Sequence, residues 1–262
     1  MFYWIYDYPS QYMAALFGGV FVGVTLGGIF LFRPLFQSWI HGEPKNNDMV
    51  GLALSSFSVF YGLLVGLVAV GAYQNFSTVG DIVDKEASSL AALYRDVSGY
   101  PQPIRAQLQD ELREYARYTI EEGWPMQARG AVPPGGTARI TMFFDTLAAF
   151  EPAKKSEELI HAEALRQFNA LVEFRRARIA KVDTGIPAVL WWTVAIGAMI
   201  MIGIIWMLKM EIHVHVILGA ALSLFLGLMI YLIAAMDNPF RGEVSIGADP
   251  IRLVYDTLMQ KR

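Results

Sequence analysis

The sequence contains no cysteine, and long stretches of it contain no charged residue. The absence of cysteine excludes disulfide bonds and thiolate metal sites. The net charge of −3 is close to neutral and gives no sign of nucleic-acid binding. No lysine or arginine precedes Arg33, whereas a cleaved signal peptide requires a positively charged start. We therefore predict that the first apolar segment is retained as a membrane anchor.

No enzyme signature is present either, and we predict that the protein is not an enzyme. The glycines between Gly18 and Gly28 lie inside an apolar run and do not follow a strand, so they do not form a nucleotide-binding loop. The apolar runs also lack Asp, Glu, Lys and Arg. Because ionisable residues at membrane depth usually mark proton relays, this lack argues against a proton-driven pump but leaves a passive pore open.

The composition is typical of a membrane protein with a sizeable water-exposed part, since 55% of the residues are hydrophobic and 17% are charged. Four apolar runs have the ~20 residues that a membrane-spanning helix requires. They are Tyr12–Phe32, Val50–Tyr73, Ile186–Leu208 and Val214–Met236. The predicted fold is an all-α membrane protein with four transmembrane helices, and a helical cytoplasmic region is inserted between spans two and three.

The predicted division of the chain follows these runs. Residues 1–73 hold spans one and two, residues 74–185 the cytoplasmic helical region, residues 186–236 spans three and four, and residues 237–262 a cytoplasmic tail. Span two continues without proline into an amphipathic stretch, which predicts one long helix leaving the membrane. Gly123-Trp124-Pro125 is predicted to stop a later helix.

Span two is the most polar of the four and is the candidate pore helix. The candidate pore-lining residues are Ser55, Phe57, Ser58, Tyr61 and Leu64. Hydroxyl groups can line a pore, and rings of bulky apolar side chains can close it by excluding water. The same residues can instead pack against neighbouring helices within one subunit. Small residues also recur four apart, as in Gly19, Gly23 and Gly27 or Gly62 and Gly66. They allow close helix packing, either within one subunit or between subunits.

Glu86 falls in phase with the apolar stripe of Val79, Val83 and Leu90. An unpaired buried carboxylate is costly, so Glu86 needs a cationic partner. The candidates are the clustered basic residues Arg175, Arg176 and Arg178. We predict a structural ion pair between Glu86 and one of these arginines.

The turn after span four carries oxygen ligands on Asp237, Asn238 and Glu243. Hard cations such as calcium take such ligands. The alternative is a helix stop at Pro239 followed by an interfacial anchor. The sequence indicates no certain cofactor, and this turn is a candidate site for a divalent cation such as calcium.

The basic residues near the membrane ends predict the orientation. They are most numerous just before span three and in the C-terminal tail, and the richer side is expected to face the cytoplasm. We therefore predict an integral protein of the bacterial inner membrane. Both termini and the middle region should lie in the cytoplasm, and the spans should contact membrane lipid.

The chain resembles the bestrophin-like family of bacterial membrane proteins from about Val50 to its end. The resemblance rests on the runs Gly62–Pro101, Gly123–Pro125, Arg175–Arg178 with Gly185–Trp191, and Asp237–Gly242. More distantly it extends to the bestrophin channels. That likeness implies four spans, a pore lined by the second helix with aromatic constrictions, and an oligomeric ring such as a pentamer.

The bestrophin turn continues into an acidic run, whereas here Arg241, Gly242 and Glu243 follow Asn238-Pro239-Phe240, so calcium gating and anion selectivity are not carried over. We interpret the protein as a homo-oligomeric ion channel whose partners are inorganic ions, lipid and its own copies. The alternative is a non-conducting membrane scaffold or sensor whose cytoplasmic helices bind a partner protein.

Overall fold

The computed structural model describes residues 3–39 and 45–260, and within these ranges the chain is helical and contains no strand. The helices are α1 (Ser10–Trp39), α2 (Lys45–Val97), α3 (Ile104–Tyr118), α4 (Trp124–Ala128), α5 (Gly135–Ala148), α6 (Lys155–Ala180), α7 (Ala188–Met207), α8 (Ile212–Asp237) and α9 (Asp249–Val254). Four of them, α1, α2, α7 and α8, are long and apolar enough to span a membrane. The predicted all-α fold with four membrane spans is confirmed.

The second helix is the longest element, with 53 residues and therefore a length of about 80 Å. The chain forms two compact units, and α2 has residues in both. The first unit comprises residues 1–74, 185–237 and 242–244, and the second comprises residues 75–184, 238–241 and 245–262. The first unit therefore contains the four apolar segments, and the second contains the helices between spans two and three.

In the first unit, α8 packs closely against α1 through small residues. A Cβ atom added at Gly227 would lie 2.8 Å from the carbonyl oxygen of Phe17, and one at Gly219 would lie 2.9 Å from Ile29. Such small residues let helix backbones approach closely in a membrane. The glycines of α8 therefore serve packing within one subunit.

The contact between α2 and α7 depends on Tyr61. Its hydroxyl donates a hydrogen bond to the carbonyl oxygen of Val194 at 2.9 Å. Its ring lies over Gly197, where any added Cβ atom would overlap it. The glycine at position 197 is therefore required by the Tyr61 ring.

Replacing Gly197 by alanine is expected to destabilise the first unit by about 1–3 kcal/mol, since the new methyl group overpacks the Tyr61 site. Gly203 in the same helix has nothing within 4 Å of an added Cβ atom, so Gly203→Ala is the matched control. Thermal unfolding in detergent measures both. Equal melting temperatures for the two variants would contradict the close α2–α7 contact.

The second unit has a core built on the continuation of α2. Its fully buried apolar residues include Val79, Val83, Leu90, Leu93 and Val97, at the spacing of one helix face. Residues from α3, α5, α6 and α9 pack against this face, among them Leu112, Phe143, Leu171 and Ile251. The amphipathic pattern after span two is thus explained by burial within the second unit.

The prediction that Gly123-Trp124-Pro125 stops a helix is wrong. The chain continues from α3 through a wide π-helical turn, Thr119–Gly123, directly into α4. Pro125 is the second residue of α4 and directly follows this wide turn. The wide turn places Trp124 inside the unit, where its side chain is buried.

Candidate functional site

The predicted pore-lining residues of α2 do not lie on one surface. Tyr61 is only 5% exposed and packs on α7, and Phe57 stacks on its ring at 5.9 Å. Leu64 and Ser58 are half-buried, and the Ser58 hydroxyl donates to the carbonyl oxygen of Leu54. Ser55 alone is exposed. A side chain packed against its own subunit cannot project into a lumen between subunits, so the packing does not support Tyr61 as a lining residue. The lining roles of Ser55, Phe57, Ser58 and Leu64 stay predictions.

The side of α2 that is turned away from Tyr61 carries an exposed stripe, which we define as Ser56, Phe60, Leu63 and Leu67. These residues are four, three and four apart and therefore lie on one helix face. Phe60 and Leu67 are each 73% exposed. Within a single chain this stripe has no cover, although it combines a hydroxyl group with three bulky apolar side chains.

The polarity of α2 runs against its exposure. Among the four candidate spans, α2 has the lowest mean hydropathy, 2.0 against 2.2–2.5. It is also the least buried of the four. In its most apolar stretch of 18 residues 17% of the residues are buried, against 22–33% in the other spans. A helix that faces lipid on most of its surface should be the most apolar, because lipid offers polar groups no hydrogen-bond partner. In α2 the lowest hydropathy and the lowest burial of the four spans therefore occur together.

The glycines of α1 and α2 divide into packed and open positions. Gly28 lies against Trp206, whose indole donates a hydrogen bond to the carbonyl oxygen of Thr25 at 2.9 Å. By contrast, added Cβ atoms at Gly62 and Gly66 would meet nothing within 4 Å, and the same holds for Gly19, Gly23 and Gly27. These glycine stripes are thus not used for packing within the described part of the chain.

In the second unit, Trp124 joins three motifs that are distant in sequence. Its indole N–H donates to the carbonyl oxygen of Ile246 at 3.0 Å, and the Phe240 ring meets it edge-on at 5.9 Å. The guanidinium of Arg178 lies 4.8 Å from the centre of the Trp124 ring. A cation over an aromatic face is attracted by the ring quadrupole. The sequence analysis did not predict that Trp124 links these motifs, because it interpreted the tryptophan as part of a helix stop.

Glu86 is completely buried and forms an ion pair with Arg178. Arg178 donates to the two carboxylate oxygens from Nε at 2.5 Å and from Nη2 at 2.9 Å. The hydroxyl of Tyr115 donates to Oε1 of Glu86 at 2.7 Å. Of the three candidate arginines, only Arg178 pairs with Glu86, since Arg176 is exposed and Arg175 donates to the Thr137 hydroxyl.

The pair and its surroundings shift the pKa values of the neighbouring groups. Burial, reinforced by the negative charge of Glu86, raises the pKa of the Tyr115 hydroxyl, which therefore stays protonated and donates. Burial alone would lower the pKa of Arg178, but the Glu86 carboxylate outweighs it and raises that pKa. Both effects favour the hydrogen-bonding pattern seen around Glu86.

The two carboxylates of the predicted cation site each accept hydrogen bonds from N–H groups of the protein. Asp237 accepts from the backbone N–H of Ile186 at 2.5 Å and from the indole of Trp191 at 3.3 Å. Glu243 accepts from the backbone N–H of Ser10 at 2.7 Å. Among the residues that the structure describes, no three His, Asp or Glu side chains are grouped to hold a metal ion. These contacts favour an anchoring role, and the Asp237, Asn238 and Glu243 cation site stays a prediction.

The cation site has a direct calorimetric test. If Asp237 ligates a divalent cation, Asp237→Asn should weaken calcium binding by at least tenfold, or about 1.4 kcal/mol, because it removes a charged ligand. Titration calorimetry on the parent protein and the variant measures the change. Equal affinity in both proteins, or no binding to either, would leave only the anchoring of Ile186 and Trp191.

Comparisons with known proteins identify the fold. The family model of the bestrophin-like domain matches residues 19–251. The structure of a bacterial bestrophin homologue from Klebsiella pneumoniae has a TM-score of 0.64 at 11% identity, with 95% of this chain and 99% of that chain covered. A mutant of a bacterial bestrophin homologue from the same organism gives 0.65 at 10% identity, with 94% and 99% covered.

A third solved structure, described as that of a membrane protein, has a TM-score of 0.65 at 11% identity, with 94% of this chain and 98% of that chain covered. At these identities the likeness to solved structures shows the fold alone. A search of curated proteins finds no match.

Proposed function

The chain belongs to the bestrophin-like family of membrane proteins, and on this basis we propose that it forms a homo-oligomeric ion channel of the bacterial inner membrane. The observation that carries the proposal is the mismatch in α2, which is both the least apolar and the least buried of the four spans. Several copies of the chain arranged around an axis would remove this mismatch. Their α2 helices would face one another and a water-filled lumen instead of lipid.

The pore in this proposal is lined by the exposed stripe of α2 and not by the face that carries Tyr61. Phe60 would form a ring of aromatic side chains, and Leu63 and Leu67 would add apolar rings about one and two helical turns further along. Such rings raise the barrier for a hydrated ion because they exclude water. Ser56 would place hydroxyl groups one turn before Phe60, where a partly dehydrated ion can be coordinated.

The contact between subunits would use the glycine face of α2. Gly62 and Gly66 lie roughly 110° around the helix from the centre of the exposed stripe, at 3.6 residues per turn. A neighbouring helix can approach closely there because no side chain blocks it. The number of subunits follows only from the family resemblance, which points to a pentamer.

The outer surfaces of the other spans fit contact with lipid. Phe30 on α1, Trp192 on α7 and Phe225 on α8 are all more than half exposed and apolar. The basic residues before α7, Arg175, Arg176, Arg178 and Lys181, favour a cytoplasmic location for both termini and for residues 74–185. Reporter fusions at Gly130 and Asn46 test this orientation, and an external Gly130 would reverse it.

Purified protein in planar bilayers tests the channel. We expect single-channel currents that follow ion gradients, and a reversal potential under ion substitution that identifies the permeant ion. The mass of the detergent-solubilised particle should be a multiple of the 29.2 kDa chain, five-fold for a pentamer. A monomeric particle that carries no current would contradict the proposal and would leave the scaffold or sensor interpretation.

A further inference from the structure

A small, partly open cavity lies in the second unit, between α4, the start of α5 and α6. Its volume is about 10 Å³, and its wall includes Gln127, Gly136, Arg175 and Arg178. A cavity of this size holds about one water-sized occupant. The groups that face it decide whether the occupant is neutral or charged.

Arg175 brings a buried positive charge to this cavity. Its side chain is only 8% exposed, and a Cβ atom added at Gly136 would lie 2.9 Å from its Nη2 atom. Within residues 3–39 and 45–260 it makes one hydrogen bond, from Nη2 to the Thr137 hydroxyl at 3.2 Å, and no ion pair. A guanidinium has five N–H donors and stays charged, and buried charges are normally paired. The charge of Arg175 therefore lacks a counter-charge.

Gln127 supplies a second donor that lacks a partner. The residue is 1% exposed, and its Oε1 atom accepts from Nη1 of Arg178 at 2.7 Å. The described part of the chain offers no acceptor to its Nε2 atom, and Gln127 lines the cavity. This N–H group is not fully enclosed by protein, so an occupant of the cavity that accepts hydrogen bonds can reach it.

The remaining groups around the cavity do not supply negative charge. Arg178 is neutralised by Glu86, so the pair adds no net charge. The 14-residue helix α5 begins at Gly135 without a side-chain cap, and the N-terminus of a helix carries a partial positive charge. Arg139, one turn into α5, is paired with Glu114. The net charge facing the cavity is therefore positive, and Arg175 is its source.

We infer that this cavity binds one small inorganic anion of about the size of chloride. The anion lies between the Arg175 guanidinium, the Gln127 amide and the first turn of α5. It supplies the missing counter-charge and accepts the unused N–H groups, whereas a water molecule would leave the charge uncompensated. The site stabilises the second unit and does not depend on whether the protein conducts ions.

Thermal unfolding of the full-length protein in detergent tests the site. Sodium gluconate is replaced stepwise by sodium chloride or bromide at constant ionic strength, so that screening stays the same. We expect a saturating rise of the melting temperature, by about 3–5 °C at ten or more times the dissociation constant. Arg175→Met should abolish this rise, and Arg176→Met, which changes the exposed neighbour, should keep it.

Two further results separate an anion from a merely structural arginine. In gluconate, Arg175→Met should melt no lower than the parent, since the variant removes an uncompensated buried charge. Crystals of the parent protein soaked in bromide should show an anomalous peak in the cavity. No halide-dependent rise in the parent, or an equal rise in the parent and Arg175→Met, would overturn the inference. If that variant does not fold, the absence of a bromide peak in the parent would overturn it.

Discussion

Replacing Glu86 by glutamine is expected to lower the free energy of unfolding by about 3–5 kcal/mol, or roughly 10 °C in melting temperature. The substitution leaves the Arg178 guanidinium buried without its counter-charge, because Arg178 is only 2% exposed. It also changes the acceptor of the Tyr115 hydroxyl. Urea unfolding and thermal unfolding in detergent measure the loss.

The matched control is an exposed ion pair of the same chemistry. Arg166 donates to Glu163 one turn away on α6, and these hydrogen bonds lower the pKa of Glu163 to about 2. Because this pair is solvent-exposed, Glu163→Gln should leave the melting temperature nearly unchanged. The double variant Glu86→Gln/Arg178→Met should recover part of the loss, since it removes both buried charges. A Glu86→Gln protein as stable as the parent would contradict the role of the pair.

Replacing Phe60 by alanine is expected to raise single-channel conductance about tenfold, which corresponds to a barrier lower by about 1.4 kcal/mol. Phe60 is 73% exposed on the free side of α2, so its ring would narrow the lumen without supporting the subunit. Removing the ring widens the constriction and lets water enter. Planar-bilayer recordings measure the conductance, and the melting temperature should not fall.

Phe57→Ala is the control for an aromatic ring that packs within the subunit, about one turn away from Phe60 on the same helix. Phe57 stacks on Tyr61 and is half-buried, so its loss leaves a cavity inside the subunit. We expect a loss of roughly 2 kcal/mol, below the ~3–5 kcal/mol of a fully buried phenylalanine. Its conductance should match that of the parent. The reverse pattern, with a silent Phe60→Ala and a leaky Phe57→Ala, would return the lining role to the Tyr61 face.

The number and position of the spans could be predicted from the sequence because they depend on length and polarity alone. Runs of about twenty apolar residues are rare outside membranes, and a helix is the structure that satisfies its own backbone there. The face of α2 that is buried could not be predicted in the same way. Phe57 and Tyr61 differ from Phe60 by rotation around the helix, and both faces are apolar. Only the position of α7, through Val194 and Gly197, distinguishes them.

The second unit shows the same limit. The apolar phase of Val79, Val83 and Leu90 indicated that Glu86 is buried and needs a cation, but three arginines on one helix were available. Residues three apart share a helix face, so Arg175 and Arg178 were equivalent by spacing, and only Arg176 pointed elsewhere. The choice of Arg178 depends on two neighbours. Gln127 accepts a hydrogen bond from the Arg178 guanidinium, and the Trp124 ring lies against it. Their positions follow from the π-helical turn before α4, for which the sequence carries no simple signal.

Cysteine accessibility measures the lining of the proposed pore most directly, because the parent protein has no cysteine of its own. Single-cysteine variants at Ser56 and Leu63 on the exposed stripe are compared with Val20 and Val24, which are exposed in the middle of α1. A charged, water-soluble thiol reagent is applied during planar-bilayer recording. We predict that it modifies the first two variants and blocks their current, and that it leaves the α1 variants unmodified. Block at neither Ser56→Cys nor Leu63→Cys, in channels that conduct, would contradict the assignment of α2 as the pore-lining helix.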